Sequence, residues 1–211
     1  MRIGIIGAGR IGGTLARLLV QAGNKVAISN SRGPETLKDL IDELGDHAQA
    51  MTAAEAGAFG EVVVVAIPFG RYRELPVASL AAKIVVDGNN YYPQRDGQFE
   101  ELDGGRLTSS ELLQAHLSTS RVVKAFNTIN YRVLASDGKP SASIEERLVI
   151  FVAGDDAEAK ATVTRLIEEI GFAAMDTGSL REGGRRQQPG SPIYTKPMNT
   201  KQAREIPAAP W

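Results

Sequence analysis

Ile3-Gly4-Ile5-Ile6-Gly7-Ala8-Gly9-Arg10-Ile11-Gly12 decides how the rest of this chain is read. Its first four residues form a short apolar run, consistent with a buried parallel strand. A helical period follows directly: Ile11, Leu15, Leu18, Leu19 and Ala22 recur at spacings of three and four, and Gly23 stops them. Gly7, Gly9 and Gly12 sit between the two with G-x-G-x-x-G spacing. The pattern alone is weak; between a strand and a helix it has a mechanism. Gly7 permits the tight turn, Gly9 lets a pyrophosphate approach free backbone N–H groups at the helix start, and Gly12 lets the helix pack closely on the sheet. The alternative is a tight strand-to-helix turn without a ligand.

Outward from this turn, strands and helices alternate. Lys25 to Ser29 reads as a second strand, and Gly33-Pro34-Glu35 starts a second helix with Leu37, Leu40, Ile41 and Leu44 on its apolar face. Thr52-x-x-Glu55 and Thr108-x-x-Glu111 are capping-box patterns, the second opening a helix with Leu112, Leu113 and Leu117. Val62 to Ile67 is an unbroken apolar run ended by Pro68, and Ile84 to Asp87 and Arg121 to Phe126 read as further strands. Leu148 to Ala153, a helix opened by Asp155-x-x-Glu158, and Ala173 to Asp176 complete the series. This rhythm predicts an α/β fold with a doubly wound parallel sheet, the Rossmann fold. Residues 1–180 are expected to form one dinucleotide-binding domain. Residues 181–211 carry Arg181, Arg185, Arg186 and several prolines without visible period, and are expected to form an extended C-terminal arm.

The end of the second strand bears on cofactor choice. NAD sites place Asp or Glu there, about 20 positions after the glycines, to accept from the ribose 2′-hydroxyl. This chain has Ser29-Asn30-Ser31-Arg32. A carboxylate repels a 2′-phosphate; a hydroxyl, an amide and a guanidinium bind it. Asn30, Ser31 and Arg32 therefore favour NADP, the alternative for Arg32 being a solvated loop charge. Two other strand ends belong to the same cleft, because ligands lie outside the carboxyl ends of parallel strands. Ile67 and Pro68 are expected to line the cofactor. Asn89, with Asn90, suits orientation of the nicotinamide ribose or carboxamide, or else simply builds a turn. Tyr91, Tyr92 and Asn127 are candidate substrate contacts, together with the arginine-bearing arm.

Composition excludes several other chemistries. With 24 Lys and Arg against 25 Asp and Glu, the net charge of -1 provides no general field for nucleic acid or an anionic membrane. With no Cys and two His far apart, disulfides, thiolate metal sites and a His-rich metal centre are not expected. The longest apolar runs are too short to span a bilayer. Met1-Arg2, followed by a few apolar residues and then the glycine turn at Gly7, does not read as a secretion signal, so a cytoplasmic location is expected.

GAGRIG from Gly7, SNSRG after the second strand, DGNNYY from Asp87 and VVKAFNTI over 122–129 resemble the NADP oxidoreductases of the coenzyme F-420-dependent type, the NADPH:deazaflavin reductases. The nucleotide domain is also similar to that of STEAP-type ferric reductases. The GDDAEAK, LIEEIGF and DTGSL segments extend the resemblance to about residue 180. KAFNT after a strand is its more specific element. The resemblance implies direct hydride transfer between NADPH and a flavin-like ring, with a flavin or deazaflavin as candidate co-substrate. It also implies that Gly7, Gly9, Arg10, Ile11, Gly12, Asn30, Ser31 and Arg32 bind NADP. The tail from Gly184 to Pro192 departs from the pattern.

Carbonyl reduction usually needs a general acid. His47 and His116 read as surface histidines; Tyr92 and Lys124 are candidate acids at strand ends, read in preference as a packed tyrosine and a solvated lysine. The absence of an evident acid–base pair suits flavin-like acceptors, where positioning does most of the work. It also leaves open a non-catalytic dinucleotide-binding module or redox sensor, and a small carbonyl or imine reductase using Tyr92 or Lys124. A small-molecule acceptor is the expected partner. A homodimer is the candidate assembly, since an arm ending in Trp211 needs a surface to bury it.

Overall fold

A computed structural model describes residues 1–206. Among them, eight strands form one sheet: β1 Arg2–Ile6, β2 Lys25–Ser29, β3 Ala48–Ala50, β4 Val62–Val65, β5 Ile84–Asp87, β6 Arg121–Lys124, β7 Val149–Gly154 and β8 Ala173–Asp176. The helices are α1 Arg10–Gln21, α2 Lys38–Leu44, α3 Ala53–Phe59, α4 Val77–Leu80, α5 Pro93–Asp96, α6 Glu100–Asp103, α7 Ser109–His116, α8 Tyr131–Ser136, α9 Ala157–Glu169, α10 Glu182–Arg186 and α11 Thr200–Arg204. No helix among the described residues is long and apolar enough to cross a membrane.

The strand order is β3-β2-β1-β4-β5-β6-β7-β8. It reverses at β1, which pairs in parallel with β2 on one side and β4 on the other. A crevice opens at such a switch point, outside the carboxyl ends of the strands. The doubly wound fold is as expected, with one antiparallel seam: β7 runs against β6, so the sheet is mostly rather than wholly parallel. The short β3 was invisible as a strand, because Ala-Gln-Ala has neither β-branching nor a visible alternation.

The sheet is buried on both faces, as its continuous apolar runs require. Ile3, Ile5, Val62 and Val64 face Leu15 and Leu19 of α1, whereas Val63, Val65 and Val85 face Phe69, Leu80 and Leu113. The alternation along β4 is the two-residue period of a strand, with both sides apolar. Thr52 and Thr108 form the two capping boxes read from sequence. The cap of α9 is Asp156, accepting from Ala159 N–H, not the neighbouring Asp155, which instead accepts from Leu180 N–H.

The tail differs from the expected extended arm. Residues 181–206 hold α10 and α11, and Ile193, Met198 and Ala203 pack with Val149 and Phe151 of β7. Helices of five residues are too short to display a period, and α10 contains Gly183 and Gly184, which have poor helix propensity. The capping box Asn199-x-x-Gln202 was the available local signal for α11. Trp211 lies outside the described residues.

Candidate active site

The glycine turn is built as its spacing requires. Gly7 has φ 111°, a region that L side chains rarely adopt, and its N–H donates to Ser29 O of the neighbouring strand. A Cβ on Gly12 would lie 1.8 Å from Gly7 O, so the helix can sit this close to the turn only without a side chain there. Gly9 is different: a Cβ built on it meets nothing within 4 Å. The space over Gly9 is therefore not filled by protein. Gly9 is also the N-cap of α1, with no side-chain cap and no acidic residue in the first turn. The open N–H groups and positive dipole end of a 12-residue helix thus face that space.

A cleft of about 430 Å³ occupies it. Gly7, Gly9, Asn30, Ser31, Arg32, Ile67 and Pro68 all line this cleft, together with Ala53, Arg71 and Leu75. Four of the residues read as cofactor contacts stand elsewhere. Arg10 lines an adjoining groove, its guanidinium 5.0 Å from the centre of the Tyr131 ring. Ile11 packs against the core, and Gly12 acts through helix packing. Asn89 is 2% exposed, and its Oδ1 accepts from Ile67 N–H at 2.9 Å, fixing the backbone of the cleft wall. Its Nδ2 is buried without a partner among the described residues.

The loop after β2 is organised by Asn30, which accepts from Arg32 N–H through Oδ1 and donates to Thr36 Oγ1 through Nδ2. Arg32 itself is exposed and makes no ion pair among the described residues. Arg71, also on the cleft, is held by Glu74, whose carboxylate raises the guanidinium pKa through their hydrogen bonds. The i,i+3 spacing of Arg71 and Glu74, within the short 3-10 helix Phe69–Glu74, was its sequence signal.

Beyond Asn89 lies a second cavity of about 250 Å³, bounded by Tyr91, Tyr92, Ser109, Lys124, Gln188 and Pro189 among others. Tyr91 packs edge-on against Phe69 and Phe99, and its hydroxyl donates to Asp103. Burial and that carboxylate push its pKa up. The Tyr92 hydroxyl is hydrogen-bonded to that of Tyr194, whose pKa is raised by burial and by Tyr92. Asn127 does not line this cavity: its Nδ2 donates to Gln187 O at 2.7 Å and to Asn90 Oδ1, so the amide pins the tail. Phe126, just before it, has φ 65°, an outlier for a bulky residue that turns the KAFNT segment sharply after β6. Gln188 and Pro189 reach the cavity, whereas Arg185 is committed to Gly105 O.

Two of the sequence expectations are overturned here. Lys124 is 1% exposed rather than solvated, and forms an ion pair with Asp87, its register partner on β5. His116 is half-buried, its ring edge-on to Tyr72 at 5.5 Å, rather than a surface residue. His47 is exposed, as expected.

An open-ended glycine turn, an unfilled cleft at the switch point and a β2 end without a carboxylate define a Rossmann dinucleotide-binding protein of the NADP type. Residues 2–91 match the family of NADP oxidoreductases, coenzyme F420-dependent, and over that segment the chain belongs to it. The hypothetical protein SMa0349 of Sinorhizobium meliloti is 32% identical, with TM-score 0.80 and 95% of each chain covered. A protein of Arthrobacter sp. FB24, described as a candidate F420-dependent NADP-reductase, is 26% identical, with TM-score 0.70, covering 85% of this chain and 86% of that one. Metalloreductase STEAP3 of Rattus norvegicus is 32% identical over 181 residues, or 85% of this chain. The chain spans only 34% of the length of that curated relative.

Proposed function

We propose that this protein is an NADP(H)-dependent oxidoreductase that passes a hydride between the nicotinamide and a flavin-like or other planar acceptor. The observation that carries the reading is the unfilled space over Gly9, beside Ser31 and the exposed Arg32. NADPH, when bound, supplies the hydride. The chain binds and orients. The first turn of α1 offers backbone N–H groups to the pyrophosphate. Ser31 and Arg32 offer a hydroxyl and a guanidinium to the 2′-phosphate. Ile67 and Pro68 bound the nicotinamide end and exclude water there, with Asn89 fixing the Ile67 backbone behind them. The family name supports the cofactor. Two of the relatives are named for different redox partners, a metal for one and F420 for the other.

Titration of NADPH and NADH against wild type and Arg32→Ala tests the cofactor side. Loss of one charge-assisted contact should cost about 1.5–3 kcal/mol, weakening NADPH roughly 10- to 100-fold. NADH, with no group there, should hardly change. Equal losses for both cofactors would mean that Arg32 supports the loop instead. Consumption of NADPH with a panel of flavins, a deazaflavin, quinones and ferric chelates tests the reaction. Tight binding with no turnover on any of them would leave a non-catalytic binding module.

A further inference from the structure

Two buried donors on the second cavity lack an acceptor. A lysine ammonium has three donor hydrogens. Lys124 places two of them: Nζ donates to Asp87 Oδ2 at 3.2 Å and to Asn89 O at 3.1 Å. No acceptor among the described residues takes the third, yet the side chain is 1% exposed and lines the cavity. Ser109, the first residue of α7, is 3% exposed and lines the same cavity, and its hydroxyl has no hydrogen-bond partner among the described residues. Buried polar groups need partners, and two that border one space point to an acceptor atom within it. Gln188, half-buried on the same cavity, has a side-chain amide that makes no hydrogen bond among the described residues.

The charge there is already balanced. Asp87 is fully buried and accepts from Lys124, from Ser110 Oγ at 2.6 Å and from Asn89 N–H at 3.0 Å. A carboxylate entering beside this pair would be a second buried negative charge facing a single positive one, which desolvation disfavours. A neutral carbonyl oxygen takes the same ammonium hydrogen without adding a charge, in a charge-assisted bond. The walls suit a flat ring: Tyr91, Tyr92 and Pro189 line the cavity, and the tyrosine hydroxyls are bound to Asp103 and Tyr194, which do not line it. At about 250 Å³ it is smaller than the roughly 300–1,000 Å³ of pockets for drug-sized ligands, so it takes a single ring rather than a fused system.

The cavity stands apart from the cofactor cleft. The two share no lining residue, and buried Asn89 separates them. An occupant therefore does not meet the nicotinamide and is not the hydride acceptor. It touches the cleft at one remove, through Asn89. That residue's backbone oxygen is held by Lys124 and its N–H by Asp87, while its Oδ1 fixes Ile67 N–H on the cleft wall.

We propose that the second cavity is an effector site for a neutral, single-ring primary amide, and that its occupation tightens NADP(H) binding. The amide oxygen accepts from Lys124 Nζ and Ser109 Oγ, and the amide N–H donates to Gln188 Oε1. The effect on the cofactor rests on the NADP reading of the cleft. A third partner on the ammonium orders Lys124, and through it Asn89 and the Ile67 backbone, so the cofactor meets a wall already ordered. The coupling is reciprocal: NADP⁺ tightens the amide by the same factor.

The probe is benzamide, followed by NMR of the ¹⁵N-labelled intact chain and by calorimetry. In wild type it should shift the backbone amide signals of Ser109 and Gln188. Gln188→Trp, which fills the cavity and leaves the ion pair intact, should weaken benzamide about tenfold or more; Ser109→Ala, which removes one donor, should weaken it about three- to tenfold. Benzoate should bind about tenfold more weakly than benzamide, because it adds a buried charge. Without benzamide, both variants should keep NADP⁺ affinity within about twofold of wild type, since neither residue touches the cleft, and this also shows the fold intact. Saturating benzamide should raise wild-type NADP⁺ affinity about fivefold, at the lower end of allosteric couplings, and leave that of Gln188→Trp unchanged. No benzamide binding to wild type, unchanged benzamide affinity in Gln188→Trp, or tighter binding of benzoate would overturn the site. If Gln188→Trp loses NADP⁺ as well, Ser109→Ala decides, and unchanged benzamide affinity there overturns the site. Benzamide bound in the cavity with NADP⁺ affinity unmoved would overturn the effector role. Benzamide bound in a Gln188-dependent way by a protein that takes up no NADP⁺ at all would instead sink the cofactor reading and leave the cavity site standing.

Discussion

The cleft over Gly9 and the cavity beside Lys124 lie on either side of Asn89 and are built by opposite means. The cleft is backbone: a turn, the open end of α1 and a loop held by its own Asn30. Its parts come as short runs of adjacent residues, Ile6 to Gly9, Ser29 to Arg32 and Ala66 to Pro68, one at the end of each of three neighbouring strands. The cavity is side chains brought together from distant segments. Lys124 meets Asp87 across 37 residues, and around the cavity Asn127 holds the Gln187 carbonyl across 60 and Tyr92 meets Tyr194 across 102. A site for a constant anion such as pyrophosphate can be made by local geometry. A site that discriminates one small molecule from another needs polar groups placed one by one.

The sharpest way to break this comparison is within the glycine turn itself. Gly12→Val places carbon against Gly7 O, where a Cβ already lies at 1.8 Å, so turn and helix must separate. A loss of about 3–5 kcal/mol is expected, in the range of severe core overpacking and strain, seen as a large drop in urea midpoint. Gly9→Val should leave that midpoint nearly unchanged and abolish NADPH binding, because its side chain enters open space. If the two variants behaved alike, the turn would be a packing device and the cleft would lose its ligand.

A smaller effect is expected on the cavity side, at Asp96. Burial alone pushes this carboxyl's pKa up. The Arg95 guanidinium and the N–H groups of Tyr92 and Gly70 outweigh that and hold it below the usual carboxylate value. A depressed folded-state pKa adds stability above the unfolded pKa, near about 3.9, and that stability is lost as pH falls through the folded value. Asp96→Ala should therefore cost about 2 kcal/mol at pH 7, the scale of hydrogen bonds to a charged group. The difference from wild type should shrink below about pH 4. Denaturation at pH 7 and pH 3 checks this; a gap that persists unchanged at the lower pH would deny the carboxylate its charged role.

The smallest change belongs to the cleft side. Thr52→Ala removes one half of the box that caps α3, the helix that brings Ala53 to the cleft wall. About 1 kcal/mol of stability should be lost, typical of an N-cap, with NADPH affinity unchanged. A loss of affinity larger than the loss of stability would show that α3 shapes the cleft directly.

Legibility in the sequence follows the same division. The glycine turn, α1, the apolar strands and the two Thr-x-x-Glu caps were readable because each depends on residues within one turn of helix or one strand length. Ser31 and Arg32 were readable by what was missing, a carboxylate at the end of β2. β3 and α10 were not, since Ala-Gln-Ala and a glycine-containing pentapeptide take their structure from the surfaces they meet. The tail was expected to extend, yet it folds because Ile193, Met198 and Ala203 find Val149 and Phe151. Lys124 is the plainest case: nothing in Val-Val-Lys-Ala says whether its ammonium meets water or a carboxylate.

The sequence by itself determined most strands of the sheet, the position of the glycine turn and the lack of a carboxylate at the end of β2. These depend on period, on steric freedom at single residues and on charge, all of which are local. Tertiary structure alone decided that Lys124 is buried against Asp87, that Asn127 holds the tail rather than facing the cavity, and that Gln188 and Pro189 supply the missing wall. A buried polar group must find a partner, and which partner it finds is set by the neighbour that folding brings within 3 Å, about one hydrogen-bond length, however far away in sequence.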